Sequence, residues 1–138
     1  MSRRAEIATR AALIGMGLFT AVPVIAVVQP GQLESSYGVT DPAPMVLTLL
    51  QHRGVFQLLA GLALIWAAFR PAVRVPVAIG VIVAKSSALL LTVTRPEAQA
   101  LVSTPIQVFD VACIALLALI AGAALIPVRR PAPNPAAP

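Results

Sequence analysis

The sequence predicts an all-α integral membrane protein: a four-helix bundle of up-down-up-down topology with both termini in the cytoplasm. Three observations lead there. Of 138 residues, 59% are hydrophobic and 11% charged, with a mean hydropathy of +0.91, whereas a soluble domain carries about 25% charged residues. The apolar residues gather into four continuous runs, each near the ~20 residues that a spanning helix needs. Most of the basic residues lie at the edges of those runs, as the flanks of membrane spans do. Such a composition excludes a soluble globular enzyme, a disordered chain and a disulfide scaffold.

The first span is expected over about 11–28, behind Arg3, Arg4 and Arg10. The stretch 29–44 holds Pro30, Gly31, Ser35, Ser36, Gly38, Pro42 and Pro44 and reads as a loop outside the membrane. The second span is expected over about 44–69, with Asp41-Pro42 offering a cap and a first-turn proline. Arg70-Pro71 ends it. The third span is expected over about 75–93 and contains Lys85; the fourth, over about 105–126, contains Asp110. Thr104-Pro105-Ile106-Gln107 has the spacing of a capping box. Runs such as Ala60-Gly61-Leu62-Ala63-Leu64-Ile65-Trp66 lack the period-two alternation of barrel strands, so each run is a helix. Residues 1–126 thus form the transmembrane domain, and 127–138, rich in proline, form a disordered tail.

Topology follows from the arginines. Arg3, Arg4, Arg10, Arg70, Arg74, Arg129 and Arg130 fall on one side of a four-span chain, and only Arg53 and Arg95 on the other, with Glu34, Asp41 and Glu97. The positive-inside rule puts the first side in the cytoplasm of a cell membrane. Arg3-Arg4 ahead of an apolar run also fits a signal peptide, but the run is about 18 residues long and lacks a clear small-x-small cleavage site before Gln29, which favours a retained span. Trp66 and Phe69, beside Arg70, fit an interfacial belt. Small residues at Gly15, Gly17, Ala60, Gly61, Ala118 and Gly122 allow close helix packing.

The net charge of +5 is not a nucleic-acid signature here, because the basic residues have no aromatic interleaving. One cysteine, Cys113, and one histidine, His52, leave no intrachain disulfide, no multi-cysteine zinc site and no metal site built on several histidines, and no cofactor is called for. There is no GxSxG, P-loop, GxGxxG or HExxH motif.

The polar groups inside the apolar runs carry the functional information, since an ionisable group at membrane depth is costly unless it snorkels or finds a partner. At ~1.5 Å per residue, Arg53 lies roughly 15 Å below the start of the second helix if that start is Pro42. Lys85 lies ~13 Å from the outer end of the third helix and Asp110 ~9 Å into the fourth. Three helices therefore hold charge at overlapping depths in the outward half, and the simplest expectation is that Arg53, Lys85 and Asp110 face the interior and meet. Gln57 is on the Arg53 face, and Gln107 shares a face with Asp110. His52 adds a group whose usual pKa of about 6.5 suits proton transfer. The expected ligand-binding set is His52, Arg53, Gln57, Lys85, Gln107 and Asp110. One cation is in surplus over Asp110, which suits an anionic or carbonyl-bearing amphiphile such as a lipid head group or a quinone ring.

The layout carries a resemblance. A first span is followed by a proline and a loop ending Tyr37-Gly38; the second span opens with His52-Arg53-Gly54, continues through Gly61 and closes with Phe69-Arg70-Pro71. This resembles small four-helix bacterial membrane proteins of the DoxX-like group, over about residues 10–126. The resemblance implies that His52 and Arg53 belong to a shared site. Some members of that wider group are linked to redox systems, as quinone-reducing subunits or partners of thiol enzymes, and others have no known role; the single Cys113 departs from self-contained thiol chemistry.

Three functions are compatible with these residues. The leading one is a non-catalytic accessory or assembly subunit that binds lipid or quinone in an outer-leaflet pocket, within a larger membrane complex or a homo-oligomer. The second is a small membrane oxidoreductase or isomerase, with Arg53 and Lys85 polarising an oxygen and His52 or Asp110 moving a proton. The third is a proton-coupled small transporter with Lys85 and Asp110 as the relay.

Overall fold

A computed structural model describes residues 2–126, except for the side chain of Ala98. It is helical, with no strand among the described residues: α1 (Arg3–Ala21), α2 (Gln32–Tyr37), α3 (Pro44–Phe69), α4 (Arg74–Val93), α5 (Pro96–Leu101) and α6 (Thr104–Leu125). Four segments are long and apolar enough to cross a membrane, Arg3–Val27, Pro44–Phe69, Pro71–Val93 and Thr104–Leu125, as in a multi-pass membrane protein. The tail expected at 127–138 lies outside the described residues.

Caps move several boundaries from where hydropathy places them. α1 starts at Arg3 rather than near residue 11, because Ser2 Oγ accepts the Ala5 N–H at 3.3 Å and Glu6 pairs with Arg10 one turn on at 2.8 Å. Pro23 has no N–H to continue the ladder, so the first span tightens into a 3₁₀ segment, Val22–Val27. The Gln51 amide secures that end, donating to Ala26 O at 3.2 Å. The stretch expected as plain loop contains α2, which ends at Gly38 with φ 62°, a left-handed stop that favours glycine. Asp41 does not cap α3: its own φ is 45°, and the helix begins at Pro44 behind Ala43. Thr104 opens α6 from inside the helix, with Ser103 in the cap position and no side-chain cap bond.

The helices pack as two close pairs, α1 on α3 and α4 on α6, with lighter contact between α3 and α4. Between α3 and the first span, α1 with its 3₁₀ extension, the backbones touch. A Cβ at Gly17 would stand 2.6 Å from Gly61 O, and one at Gly54 would stand 2.7 Å from Pro23 O. Glycine at these positions is therefore a packing requirement. Gly15 and Gly122 face open space and Ala118 is exposed, so the small residues expected to pack do so at Gly17, Ala60 and Gly61. Leu13, Leu64, Cys113 and Leu117 are fully enclosed in the core that joins the two pairs. The outer faces carry large apolar side chains such as Leu18, Val83 and Leu119, an extent of exposed apolar surface that hydrocarbon accommodates and water does not.

The far end of the bundle from α2 and α5 is tied by a buried arginine. Arg74 sits among the arginines that hydropathy assigns to a loop, yet its side chain is 6% exposed. It donates to Glu6 through both terminal nitrogens, at 2.9 and 2.6 Å, and to the carbonyls of Ala67 and Ala68 at 3.1 and 3.0 Å. Those carbonyls belong to the last turn of α3, which lacks intrahelical donors. One guanidinium thus closes α3, starts α4 and holds α1. Arg74→Lys removes the fork while keeping the charge; a stability loss of about 1–3 kcal/mol is expected by thermal unfolding in detergent. A loss near zero would show that the tie contributes nothing.

Candidate functional site

Toward the end of the bundle that carries α2 and α5, Lys85 of α4 and Asp110 of α6 meet at 2.5 Å, Nζ to Oδ1, with side chains 8% and 17% exposed. The Lys85 ammonium also lies 4.9 Å from the centre of the Phe109 ring, a favourable position for a cation over an aromatic face. Both charges are compensated where hydrocarbon would tolerate neither alone.

Arg53 does not join that pair. Its guanidinium lies over the Tyr37 ring, 5.2 Å from the centre, and among the described residues it has no carboxylate partner. The surplus cation expected from the sequence is therefore Arg53. It borders a cavity of about 170 Å³ lying between the α1/α3 pair and α6, with α2 over it. The α1/α3 wall gives Thr20, Arg53 and Gln57; α6 gives Phe109 and Asp110; α2 gives Gln32 and Tyr37. A second cavity, of about 160 Å³, shares Thr20, Arg53, Gln57 and Asp110 and extends between α3 and α4 to Lys85. The four shared residues form a polar partition across the cleft between the two helix pairs.

Three buried side-chain oxygens have no hydrogen-bond partner: Thr20 Oγ1, Gln32 Oε1 and Gln57 Oε1. All three residues line the first cavity. No other buried side-chain nitrogen or oxygen among the described residues is unpartnered. Orphaned polar groups are normally few and scattered, so their convergence on one space that also holds a free guanidinium marks a place for a polar guest.

The six residues expected to form the site divide. Arg53, Gln57, Lys85 and Asp110 come together around the two cavities. Gln107 borders a smaller neighbouring space with Asp110, but its amide donates to Val102 O at 3.0 Å, tying α6 to the end of α5. His52 stands apart on the exposed flank of α3, edge-on to Phe56 at 4.7 Å. Thr20, Gln32 and Tyr37 were not expected. Thr20 is legible as the lone hydroxyl late in the first apolar run, but nothing in the sequence says that α2 folds Gln32 and Tyr37 over it. Cys113 is buried next to this region. Among the described residues no group of three or more His, Cys, Asp or Glu is placed to hold a metal.

No protein-family model, curated protein or solved structure matches this chain.

Proposed function

We propose that the chain is a multi-pass protein of a bacterial cell membrane, running up-down-up-down with cytoplasmic termini, and that it acts as a non-catalytic accessory subunit. In this reading its outward cavity holds the polar head of an amphiphile, a lipid or a quinone. Orientation rests on the arginine count on either side of the spans. The observation that carries the binding reading is the meeting of three unpartnered oxygens and one unpaired guanidinium in a single cavity. The three buried oxygens are unfavourable when dry and become favourable when a guest completes their hydrogen bonds, and the exposed Arg53 guanidinium at the rim offers that guest a charge. The cavity is close in size to the ~150 Å³ space that admits benzene, room for one ring or head group.

The test is native mass spectrometry of protein released from lipid nanodiscs. A co-released amphiphile is expected with the native chain, and Arg53→Ala is expected to reduce it about tenfold or more, the worth of one hydrogen bond to a charged group. Equal retention by the two proteins would defeat the proposal.

A second reading draws on the Lys85–Asp110 pair, since intramembrane ionisable pairs serve proton relays. Proton flux in liposomes that disappears in Asp110→Asn would favour a transporter; no flux in the native protein would exclude it.

A further inference from the structure

We infer that the guest is an anionic phospholipid with free hydroxyls on its head group, of the phosphoglycerol kind, held by its head while its acyl chains stay outside the bundle. This rests on the reading that the cavity takes an amphiphile, and adds which chemistry it selects.

Charge comes first. Asp110 is the one acid in the cavity wall and is already held by Lys85. Arg53 leaves the wall with one net positive charge, presented by the side chain best shaped for two parallel bonds to a phosphate. The Tyr37 ring supports the guanidinium from one face and leaves its N–H edge free for an anion.

The hydrogen-bonding inventory comes next. Thr20 is 5% exposed, and its hydroxyl oxygen is unpartnered, as are the amide oxygens of Gln32 and Gln57. An amide oxygen only accepts, and a hydroxyl both donates and accepts. A guest that completes these groups as they are oriented brings donors as well as an anionic acceptor. A phosphodiester followed by hydroxyls supplies both. An oxidised quinone ring supplies acceptors alone and would leave the two amide oxygens as they are. A choline head supplies no donor and brings a cation toward Arg53.

Size and openings fix the rest. About 170 Å³ accommodates a head group but not acyl chains as well, since drug-sized guests occupy ~300–1,000 Å³. Phe19 at the α1 edge of the first cavity is 66% exposed, and Phe56 at the α3 edge of the second is 59% exposed. The polar space therefore reaches the sides of the bundle at apolar edges, where the chains of a bound lipid can remain in the bilayer.

The experiment uses the full chain in nanodiscs that contain phosphatidylglycerol, phosphatidic acid, phosphatidylcholine and a long-chain benzoquinone in both redox states. Lipids that survive release are counted by native mass spectrometry. Phosphatidylglycerol is expected to exceed phosphatidylcholine about tenfold or more and phosphatidic acid several-fold. Arg53→Ala should erase the first preference. Thr20→Val with Gln57→Leu should erase the second and leave the first. Arg53 is exposed, so its variants are expected to fold; helical circular dichroism confirms this, and Arg53→Gln serves if alanine fails. Retention of the quinone or quinol in an Arg53-dependent way would overturn this inference while leaving the amphiphile reading intact. Phosphatidylglycerol retained equally by every variant would mean a lipid bound elsewhere on the surface, which also overturns it. Absence of any retained guest would remove both readings.

Discussion

Asp110→Leu is expected to lower the stability of the bundle by about 3–5 kcal/mol, because it leaves Lys85 charged and alone in a largely buried setting. The Lys85 ammonium has two polar or aromatic partners, the Asp110 carboxylate and the Phe109 ring, and the ring alone offsets only about 2 kcal/mol. Lys85→Met leaves the complementary orphan, a short carboxylate that cannot reach the surface as a lysine stem can. The double change, Lys85→Met with Asp110→Leu, removes both charges and is expected to recover most of the loss, since apolar pairs commonly replace buried ion pairs without penalty. Unfolding midpoints of the four proteins in detergent complete a double-mutant cycle. Single-variant losses below about 1 kcal/mol would show an exposed pair, contrary to the side-chain exposures of 8% and 17%.

The second large effect belongs to the α1/α3 contact. Gly61→Leu is expected to prevent the native pairing, and Gly17→Ala to cost about 1–3 kcal/mol, the usual range for overpacking. Both new side chains meet backbone. At Gly17 the added carbon would lie 2.6 Å from Gly61 O and 2.8 Å from Ile65 Cγ1; at Gly61 it would run into Gly17 O. A carbonyl inside a helix cannot rotate away as a flexible side chain can, so the helices must separate. Gly80 and Gly122 provide the control, because nothing lies within 4 Å of a Cβ at either. Their alanine variants are expected to be neutral or more stable by up to ~1 kcal/mol, the difference in helix propensity. Equal losses at all four glycines would show that close approach is not the cause.

These contrasts also show what the sequence could and could not reveal. Four apolar runs predict four spans, because length and hydropathy are local properties. The cost of an isolated charge predicts that Lys85 and Asp110 seek partners, and they find each other. That cost cannot say which of two cations Asp110 takes; the register of α4 on α6 decides it, and Arg53 is left to the cavity. His52 sits next to Arg53 in sequence but about 100° away around the helix, so it shares none of the Arg53 surroundings. The same limit hides Arg74. An arginine near a chain turn looks like a cytoplasmic flank until Glu6 and two open carbonyls are brought to it. Gln32 and Tyr37 depend on α2 folding back over the cavity, a tertiary event that no local pattern records.

The bond between Glu6 and Arg74 also bears on biosynthesis. Its partners are 68 positions apart, so a ribosome releases the acid long before the base. During that interval Arg10, one turn on, holds the Glu6 carboxylate within α1. Once synthesised, Arg74 joins the first hydrophobic segment to the second and third, because one guanidinium reaches Glu6 and the last carbonyls of α3.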